Sequence, residues 1–441
     1  MRIRYTRSVL PCVLACAAVS TLAARADEPA GHLADVQAFD QVWRTIHEKH
    51  WDPRPGGQDW EALRDELRPR VEQAATREAA RAVIEEMLDR LGQSHFGIIP
   101  GPAYEDLASD EGGGDGTVGL DVRVVEGHAL VTSVDPGSAA ERAGVHPGWI
   151  VDRVGAERMD EIIERLATQF AADRYGELAL TAALRARLSG AVGEDLSVAF
   201  IDARGRRARR RLALEEPPGT PAKVGLLPPI HVRFEQRMIH DDAGYIRFNM
   251  FVDPGSVMPA YNEAMERFRE AAGVVVDLRG NPGGIMGMAM GMAGWFVGGE
   301  DQRLGTMYMR GNELKVVVFP RPHPFAGRVA VLVDGLSASC SEILAGGLQD
   351  LGRARVFGSR TIGAALPSVI EELPNGDRFQ YAIAHYVSQD GEPLEGKGVV
   401  PDVEVAPSRE ALLAGGDPAL DAALAWIHEA PRAGAREVSG P

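Results

Sequence analysis

Cysteine is scarce in this sequence, and long apolar stretches are absent after its first 26 residues. Of three cysteines, only Cys340 lies beyond that segment, and one cysteine cannot form an internal disulfide. No later stretch approaches the roughly 20 apolar residues that a membrane-spanning helix needs. No group of His, Cys, Asp and Glu has the spacing of a zinc site. The sequence therefore predicts no disulfide framework, no membrane span, no metal and no cofactor.

Positive charge is also in short supply. The chain has 47 Lys and Arg against 63 Asp and Glu, which gives a formal net charge of -16 and a pI of about 5.2. This balance argues against a nucleic-acid-binding protein. One basic run, residues 204–211, leads into Leu212 and Leu214 and indicates the solvent-facing side of a strand or hairpin. The composition, 45% hydrophobic and 25% charged, is that of a globular protein with two or three domains.

The first 26 residues have the pattern of a secretory signal. Three arginines within the first seven residues precede a largely apolar stretch, residues 9–22, and Ala24-Arg25-Ala26 has the small residues of a cleavage site. We therefore expect an exported protein, located in the periplasm or outside the cell. The alternative is a lipoprotein signal that ends at Cys16.

The distribution of apolar residues predicts a multidomain α+β protein. Four segments follow the signal: a helical domain over 27–110, a β domain with a helical insertion over 111–216, an α/β core over 217–410, and a C-terminal helix and tail over 411–441. The first segment has apolar residues at three- and four-residue spacing, the second has alternating short strands, and the third alternates strand with helix. In the core we expect strands at 244–248, 273–278, 329–333, 354–358, 368–373, 379–386 and 403–405.

One strand-to-helix turn stands out as a candidate nucleophile site. A buried strand at 329–333 is followed by Ser337-Ala-Ser339-Cys340-Ser-Glu342 and then by a helix. A hydroxyl at such a turn is exposed, and the helix N-terminus presents unpaired N–H groups to a developing negative charge. Ser339 with Glu342 three residues later is equally the pattern of a capping box. This stretch alone favours neither interpretation.

Four segments together resemble the carboxy-terminal processing (tail-specific) serine peptidases. Residues 137–154 are similar to the core of a PDZ domain, and residues 274–284, Val-Val-Val-Asp-Leu-Arg-Gly-Asn-Pro-Gly-Gly, resemble one signature of that family. Residues 337–343 resemble the second signature, and 398–402, Gly-Val-Val-Pro-Asp, the closing segment. The resemblance implies a crotonase-like ββα superhelix in the peptidase core. It also implies that Ser339 is the nucleophile.

One expected catalytic residue is missing. The resemblance implies a general-base Lys 25 residues after the nucleophile, in a Thr-Phe-Gly-Lys-type segment, but here that segment reads Thr361-Ile-Gly-Ala364. The Gln usual four positions later is Ser368. Because a Ser hydroxyl is a weak nucleophile without an adjacent base, either the protein is inactive or its base comes from elsewhere.

A second branch of the superfamily, similar to the tricorn core protease, offers that base. It uses a Ser-His-Ser-Glu arrangement, and Ser94-His95 here matches the position of its His at the end of the helical domain. Glu395 matches its Glu, just before the closing segment. The resemblance implies that His95 takes the proton from Ser339 and that Glu395 acts through Ser94.

The resemblance also implies two binding features. Backbone N–H groups of Gly283 or Gly284 and of Cys340 would hold the oxyanion, as a tight glycine loop can. Val118, Gly119 and Leu120 would form the loop of the PDZ-like domain that binds a polypeptide's terminal carboxylate.

Several other residues have simpler interpretations. His385 is expected to be structural, and Lys397 is not expected to replace the missing Lys, because a Lys acts as a base only when buried. The methionines at 286, 288, 290 and 292 could suggest soft-metal binding, but their spacing favours an adaptable apolar wall beside a substrate.

The leading hypothesis is an exported serine endopeptidase that cleaves unfolded or C-terminally presented polypeptides through Ser339, His95, Ser94 and Glu395. The alternative is a catalytically inactive, peptidase-like protein that binds peptides or an apolar ligand. A third interpretation is an esterase or other acyl hydrolase, since the same residues would serve. A homo-oligomer and a monomer both remain open.

Overall fold

The structure, a computed structural model, describes residues 29–101, 115–169, 175–223 and 230–429. Its helices are α1 (Pro29–Lys49), α2 (Trp60–Glu72), α3 (Arg77–Asp89), α4 (Ala139–Arg142), α5 (Met159–Gln169), α6 (Gly176–Arg187), α7 (Pro254–Arg267), α8 (Met286–Ala293), α9 (Cys340–Asp350), α10 (Arg409–Leu413) and α11 (Pro418–His428).

Its strands are β1 (Gly97–Ile99), β2 (Asp115–Thr117), β3 (Leu120–Val125), β4 (His128–Val134), β5 (Ile150–Val154), β6 (Glu157–Arg158), β7 (Ser189–Ala191), β8 (Asp195–Ile201), β9 (Arg207–Ala213), β10 (Thr220–Ala222), β11 (Ile230–Val232), β12 (Phe234–Ile239), β13 (Ala243–Phe248), β14 (Gly273–Asp277), β15 (Arg303–Met309), β16 (Asn312–Val317), β17 (Arg328–Val333), β18 (Arg355–Gly358), β19 (Ser368–Glu372), β20 (Arg378–Ala382), β21 (His385–Ser388) and β22 (Val403–Glu404).

Helices α1, α2 and α3 pack around one apolar core, as their three- and four-residue spacing predicts. The side chains of Asp59 and Thr76 cap α2 and α3 by accepting hydrogen bonds from backbone N–H groups of the first turn. The core is completed by residues far along the chain, including Phe379 and Tyr381. Strand β1, which follows α3, pairs antiparallel with β20 and so joins the helices to the sheet that contains β20. The chain thus returns to its N-terminal helices after about 280 residues.

A second unit is built on the sheet β3-β4-β5-β8-β9, with β6 paired to β5. Val122, Val131 and Phe200 on the sheet form its core with Ile162 of α5 and Leu184 of α6, the two helices of the predicted insertion. The basic run faces solvent along β9 while the side chain of Leu212 is buried, which confirms the expected half-exposed strand.

The third unit contains a six-stranded sheet in the order β12-β13-β14-β17-β18-β22. All its pairings are parallel except that of β12 with β13. Val274 and Val331 pack with α7, α8 and α9 on one face, and Val275 and Leu332 pack with α11 on the other. Burial on both faces explains why β14 and β17 read as continuous apolar runs.

The structure contains strands that the hydrophobic pattern does not predict. The hairpin β15–β16 pairs with β21 through β15, and β12 forms an edge of the six-stranded sheet. Four successive residues of β16, beginning at Asn312, are exposed, so this edge strand has no apolar alternation. The single strand expected at 379–386 is two strands, β20 and β21, in different sheets.

The predicted signal at 1–26, with Cys16, lies outside the described residues. Within the described ranges, no helix combines the length and the apolar character required to cross a membrane. The thiol of Cys340 is buried and forms no disulfide bond.

Candidate active site

Ser339 ends the turn between β17 and α9, where the carboxyl ends of parallel strands meet. It is the N-cap of α9 and has φ 53° and ψ -118°, a backbone conformation that non-glycine residues rarely adopt. Its neighbours Ala338 and Cys340 are buried while Ser339 itself is partly exposed. The Ser339 N–H donates to Glu342 Oε2 at 3.0 Å. Ser339 therefore occupies the capping position and is itself partly exposed.

Glu342 holds segment 361–364 in place, where Ala364 stands at the position of the expected Lys. Its carboxylate accepts hydrogen bonds from Thr361 Oγ1 at 2.6 Å, Gly363 N at 2.8 Å and Ala364 N at 3.0 Å. Burial raises its pKa to about 7, although these hydrogen bonds act in the opposite direction. The capping-box spacing of the sequence was the one signal for this residue, and it did not indicate the contacts with 361–364.

The glycine loop lies directly against the Ser339 turn. Gly283 has φ 95°, and a Cβ built on it would lie 2.7 Å from Ser339 Cβ and 2.8 Å from Cys340 N. Only glycine fits this approach. Asn281 holds the loop: its Nδ2 donates to Phe248 O at 2.9 Å, and Ser341 Oγ donates to its carbonyl at 2.9 Å.

The hydrogen bonds of this loop show which of the expected oxyanion donors are occupied and which are available. The Gly283 N–H already donates to Asn281 Oδ1 at 2.9 Å. Within the described chain, no acceptor lies in hydrogen-bond range of the N–H of Gly284 or of Cys340. The Cys340 thiol donates to Gly284 O at 3.0 Å, and burial raises its pKa to about 12. Cys340 is therefore a buried packing residue with an available backbone N–H.

Ser94, His95 and Glu395 form one hydrogen-bonded chain. Ser94 N and Oγ donate to Glu395 Oε1 and Oε2, each at 2.8 Å. His95 Nδ1 lies 2.7 Å from Ser94 Oγ. Because the Ser94 proton goes to the carboxylate, the imidazole must donate from Nδ1, and its Nε2 is then the unprotonated nitrogen. Ser94 and His95 are buried, and Glu395 lies 301 positions beyond Ser94.

Two alanines connect the Ser339 turn with the hydrogen-bonded set of Ser94, His95 and Glu395. Ser339 N also donates to Ala364 O at 2.9 Å, and Ala365 N donates to Glu395 Oε2 at 3.2 Å. Across the described residues, no hydrogen bond joins His95 to Ser339. The structure thus brings Ser94, His95 and Glu395 together, brings Gly283 and Cys340 to Ser339, and links the two groups through the backbone.

His95 is neutral at physiological pH. Burial lowers its pKa from 6.5 to about 4, because an imidazolium loses its hydration in a buried position. The side chain is 3% exposed, and the backbone has φ 62°. A neutral imidazole with Nε2 unprotonated is the form that accepts a proton.

The depressed pKa of His95 predicts a pH-dependent contribution to stability. Between pH 6.5 and pH 4 the unfolded chain binds a proton that the folded chain does not, so His95 loses roughly 3 kcal/mol of unfolding free energy as the pH falls through this window. Glu342, with its raised pKa, acts in the opposite sense between about pH 7 and 4.5. The contribution of His95 is therefore measured as a difference: wild type and His95→Asn are denatured with urea at pH 7 and at pH 4. Equal losses of stability in the two proteins would contradict the prediction.

The other candidate bases lie in different surroundings. Lys397 has a side chain 58% exposed and paired with Glu392, which does not suit a catalytic base. His385 stacks on Trp51 with ring centroids 6.3 Å apart, and burial lowers its pKa. Ala364, at the position of the missing Lys, is fully buried against Tyr175. Tyr175 lies in the insertion, and no motif of the sequence pointed to it.

The expected carboxylate-binding loop is engaged in local hydrogen bonds. Gly119 N donates to Thr117 Oγ1 at 3.1 Å, and the carbonyls of Val118 and Gly119 accept from Ala140 N and Asp135 N. A Cβ on Gly119 would lie 2.1 Å from Ser138 Cβ. Leu120 begins β3, which α6 covers through Arg185 Nη2 to Asp121 Oδ1 at 2.8 Å. The N–H of Gly119 is thus occupied, and a helix flanks the strand.

The four methionines divide into two pairs. Met288 and Met292 are buried in the core, and Met286 and Met290 are half-buried at its edge. In the described chain, no three His, Cys, Asp or Glu side chains lie close enough to hold a metal ion.

Two protein families match separate parts of the chain. Residues 242–405 match Peptidase family S41, and residues 36–89 match the Tricorn protease C1 domain. The first match contains Ser339 and Glu395, and the second covers the helices that lead to Ser94 and His95.

Two curated relatives illustrate the similarity. Carboxyl-terminal-processing peptidase 3, chloroplastic, of Arabidopsis thaliana is 26% identical over 367 residues, which are 82% of this chain and 67% of that protein. A probable CtpA-like serine protease of Staphylococcus aureus is 24% identical over 302 residues, which are 65% of this chain and 52% of that protein. The chain therefore spans about half the length of the staphylococcal relative.

Two solved structures share the fold. The photosystem II D1 C-terminal processing protease has a TM-score of 0.55 at 21% identity, covering 87% of this chain and 98% of that chain. Mature CPAF has a TM-score of 0.58 at 12% identity, covering 88% of this chain and 95% of that chain. At these identities the likeness concerns the mixed α/β fold.

Proposed function

We propose that this chain, whose residues 242–405 match Peptidase family S41, is an exported serine endopeptidase acting through Ser339, His95, Ser94 and Glu395. Its substrates are unfolded or C-terminally presented polypeptides. The observation that carries the proposal is the Glu395–Ser94–His95 chain of hydrogen bonds, which leaves an unprotonated Nε2 on a buried imidazole. A scaffold that only binds peptides has no need of this network.

The proposed reaction is an acyl transfer. Ser339 Oγ attacks the carbonyl carbon of the scissile peptide bond as its proton passes to His95 Nε2, and the resulting oxyanion is held by the N–H groups of Gly284 and Cys340. The imidazolium then gives its proton to the leaving amine as the C–N bond breaks. A water molecule, deprotonated by the same nitrogen, releases the acyl group and restores the Ser339 hydroxyl.

Glu395 offsets the burial of His95 during this cycle. An imidazolium is disfavoured in a buried position, as the low pKa of His95 reflects. The carboxylate reaches the ring through Ser94 Oγ, which accepts from Nδ1 and donates to Oε2. The negative charge therefore stabilises the proton-carrying state that exists after attack, and the Nδ1 hydrogen bond fixes the orientation of the ring.

The preference for chain ends rests on the second unit. We assign residues 111–216 to a PDZ-like domain that receives an extended polypeptide along the edge of β3. The similarity to the Arabidopsis relative, a carboxyl-terminal-processing peptidase, supports this assignment. In the structure α6 contacts β3 and the Gly119 N–H is occupied, so a polypeptide that binds at this edge displaces these local contacts.

The proposal is tested with purified protein lacking residues 1–26. It is expected to hydrolyse a denatured protein faster than the same protein in its native state, and a fluorophosphonate probe is expected to label Ser339, as located by peptide mass spectrometry. Probe labelling with ester hydrolysis but no peptide hydrolysis would favour an acyl hydrolase. No labelling between pH 5 and pH 9 would favour the inactive binding protein and overturn the proposal.

A further inference from the structure

Tyr175 occupies the space beside the position where the related peptidases are expected to carry a Lys. The Tyr175 side chain is 5% exposed and Ala364 is 0% exposed, and the two form one buried cluster with Leu178 and Ile362 at its edge. The Tyr175 ring therefore packs directly beside the position of the missing Lys.

The hydroxyl of Tyr175 reaches the carboxylate of the proposed site. Tyr175 Oη donates to Glu395 Oε1 at 3.3 Å, the oxygen that also accepts from Ser94 N at 2.8 Å. Oε2 accepts from Ser94 Oγ at 2.8 Å and from Ala365 N at 3.2 Å. Donors to both oxygens restrict rotation of the carboxylate and keep Oε2 directed at Ser94.

The helix that follows Tyr175 also contacts the turn before Ser339. A Cβ on Gly335 would lie 2.5 Å from Glu177 Oε2, so this side chain rests on the backbone four residues before Ser339. Burial, with Asp334 nearby, raises the pKa of Glu177. The same helix is tied to β3 by Arg185 and Asp121. The insertion thus spans from the sheet of the second unit to the proposed catalytic residues.

We infer that Tyr175 is a positioning residue that orients Glu395 toward Ser94. Because Tyr175 belongs to the insertion, the arrangement of Ser94 and His95 then depends on the docking of the insertion. The Tyr175 ring packs beside Ala364, at the position of the missing Lys. This inference rests on the proposed function. It follows from three contacts. The Tyr175 ring packs on Ala364, the Tyr175 hydroxyl donates to Glu395, and the Glu177 side chain contacts the turn before Ser339.

The experiment compares Tyr175→Phe with wild type in hydrolysis of a denatured protein. The phenylalanine ring keeps the packing on Ala364 and removes the hydroxyl that donates to Glu395. A hydrogen bond to a charged group predicts about a tenfold loss in kcat with KM changed by less than about twofold. Tyr261→Phe is the matched control, because Tyr261 is a fully buried tyrosine whose hydroxyl has no partner in the described chain. It is expected to leave kcat unchanged.

A double-mutant cycle separates positioning from general destabilisation. In a Glu395→Gln background, Tyr175→Phe is expected to have less than about a twofold effect on kcat, because its hydroxyl acts through that carboxylate. Rates are read at a temperature at which thermal melts show every variant folded. An unchanged kcat in Tyr175→Phe, or the same loss in both backgrounds, overturns the inference. An inactive wild type instead refutes the proposed function itself.

Discussion

Replacing Ser339 by alanine is expected to lower kcat for hydrolysis of a denatured protein by on the order of 10⁴- to 10⁶-fold. The mechanism has no other nucleophile, since Cys340 is buried with a raised thiol pKa. The Ser339 N–H bonds to Glu342 and Ala364 involve the backbone and persist in the variant. Loss of an N-cap hydroxyl typically costs about 1 kcal/mol, so we expect the variant to stay folded. Hydrolysis and thermal melting are measured on the same preparation.

Ser337→Ala is the matched control for this substitution. The Ser337 hydroxyl is buried and donates to Leu278 O at 2.8 Å, so its removal is expected to lower the melting temperature while kcat stays within about threefold. This pair of variants distinguishes a nucleophile from a structural serine in one turn. Retained hydrolysis in Ser339→Ala would falsify the assignment of the nucleophile.

His95→Asn is expected to lower kcat by on the order of 10³- to 10⁵-fold and to slow labelling of Ser339 by a fluorophosphonate to a comparable degree. Asparagine tolerates the positive φ of this position and cannot accept a proton at neutral pH. The loss therefore reports the missing base rather than a strained backbone. The measurement is the rate of hydrolysis together with the rate of labelling, followed by intact mass.

His385→Asn is the matched control for the base. This half-buried histidine lies in β21, where Glu395 acts on it electrostatically, so it is a competitor for the same role. We expect its variant to label and to hydrolyse at close to the wild-type rate. A result in which His385→Asn is inactive while His95→Asn is active would reassign the base.

The helices and central strands could be predicted from the sequence because their apolar patterns are local. Leu67 and Val71, or Val331 and Leu332, are buried in the way that their spacing implies. Strand β16 could not be predicted, because it is exposed at a sheet edge and its stability comes from pairing with β15. The closure of the N-terminal core by Phe379 and Tyr381 is equally invisible to a local pattern.

The proposed site divides in the same way. Ser339, Ser94, His95 and Glu395 could be proposed from the sequence because they match an ordered set of motifs. Which glycine N–H is available could not be predicted, since the partner of Gly283, Asn281 Oδ1, depends on the folded loop. Tyr175 lies in an insertion without any motif, and its contact with Glu395 exists only after two units have docked.

The pairing of Ser94 with Glu395 has a consequence for the order of events during synthesis. The two residues are 301 positions apart, so a ribosome has to extend the chain by 301 residues beyond Ser94 before the carboxylate proposed to orient His95 exists. On the proposed mechanism, a polypeptide that stops between Ser339 and Glu395 carries the nucleophile but lacks the carboxylate that supports its base. Full activity then appears only after Glu395 has been synthesised and has folded against Ser94.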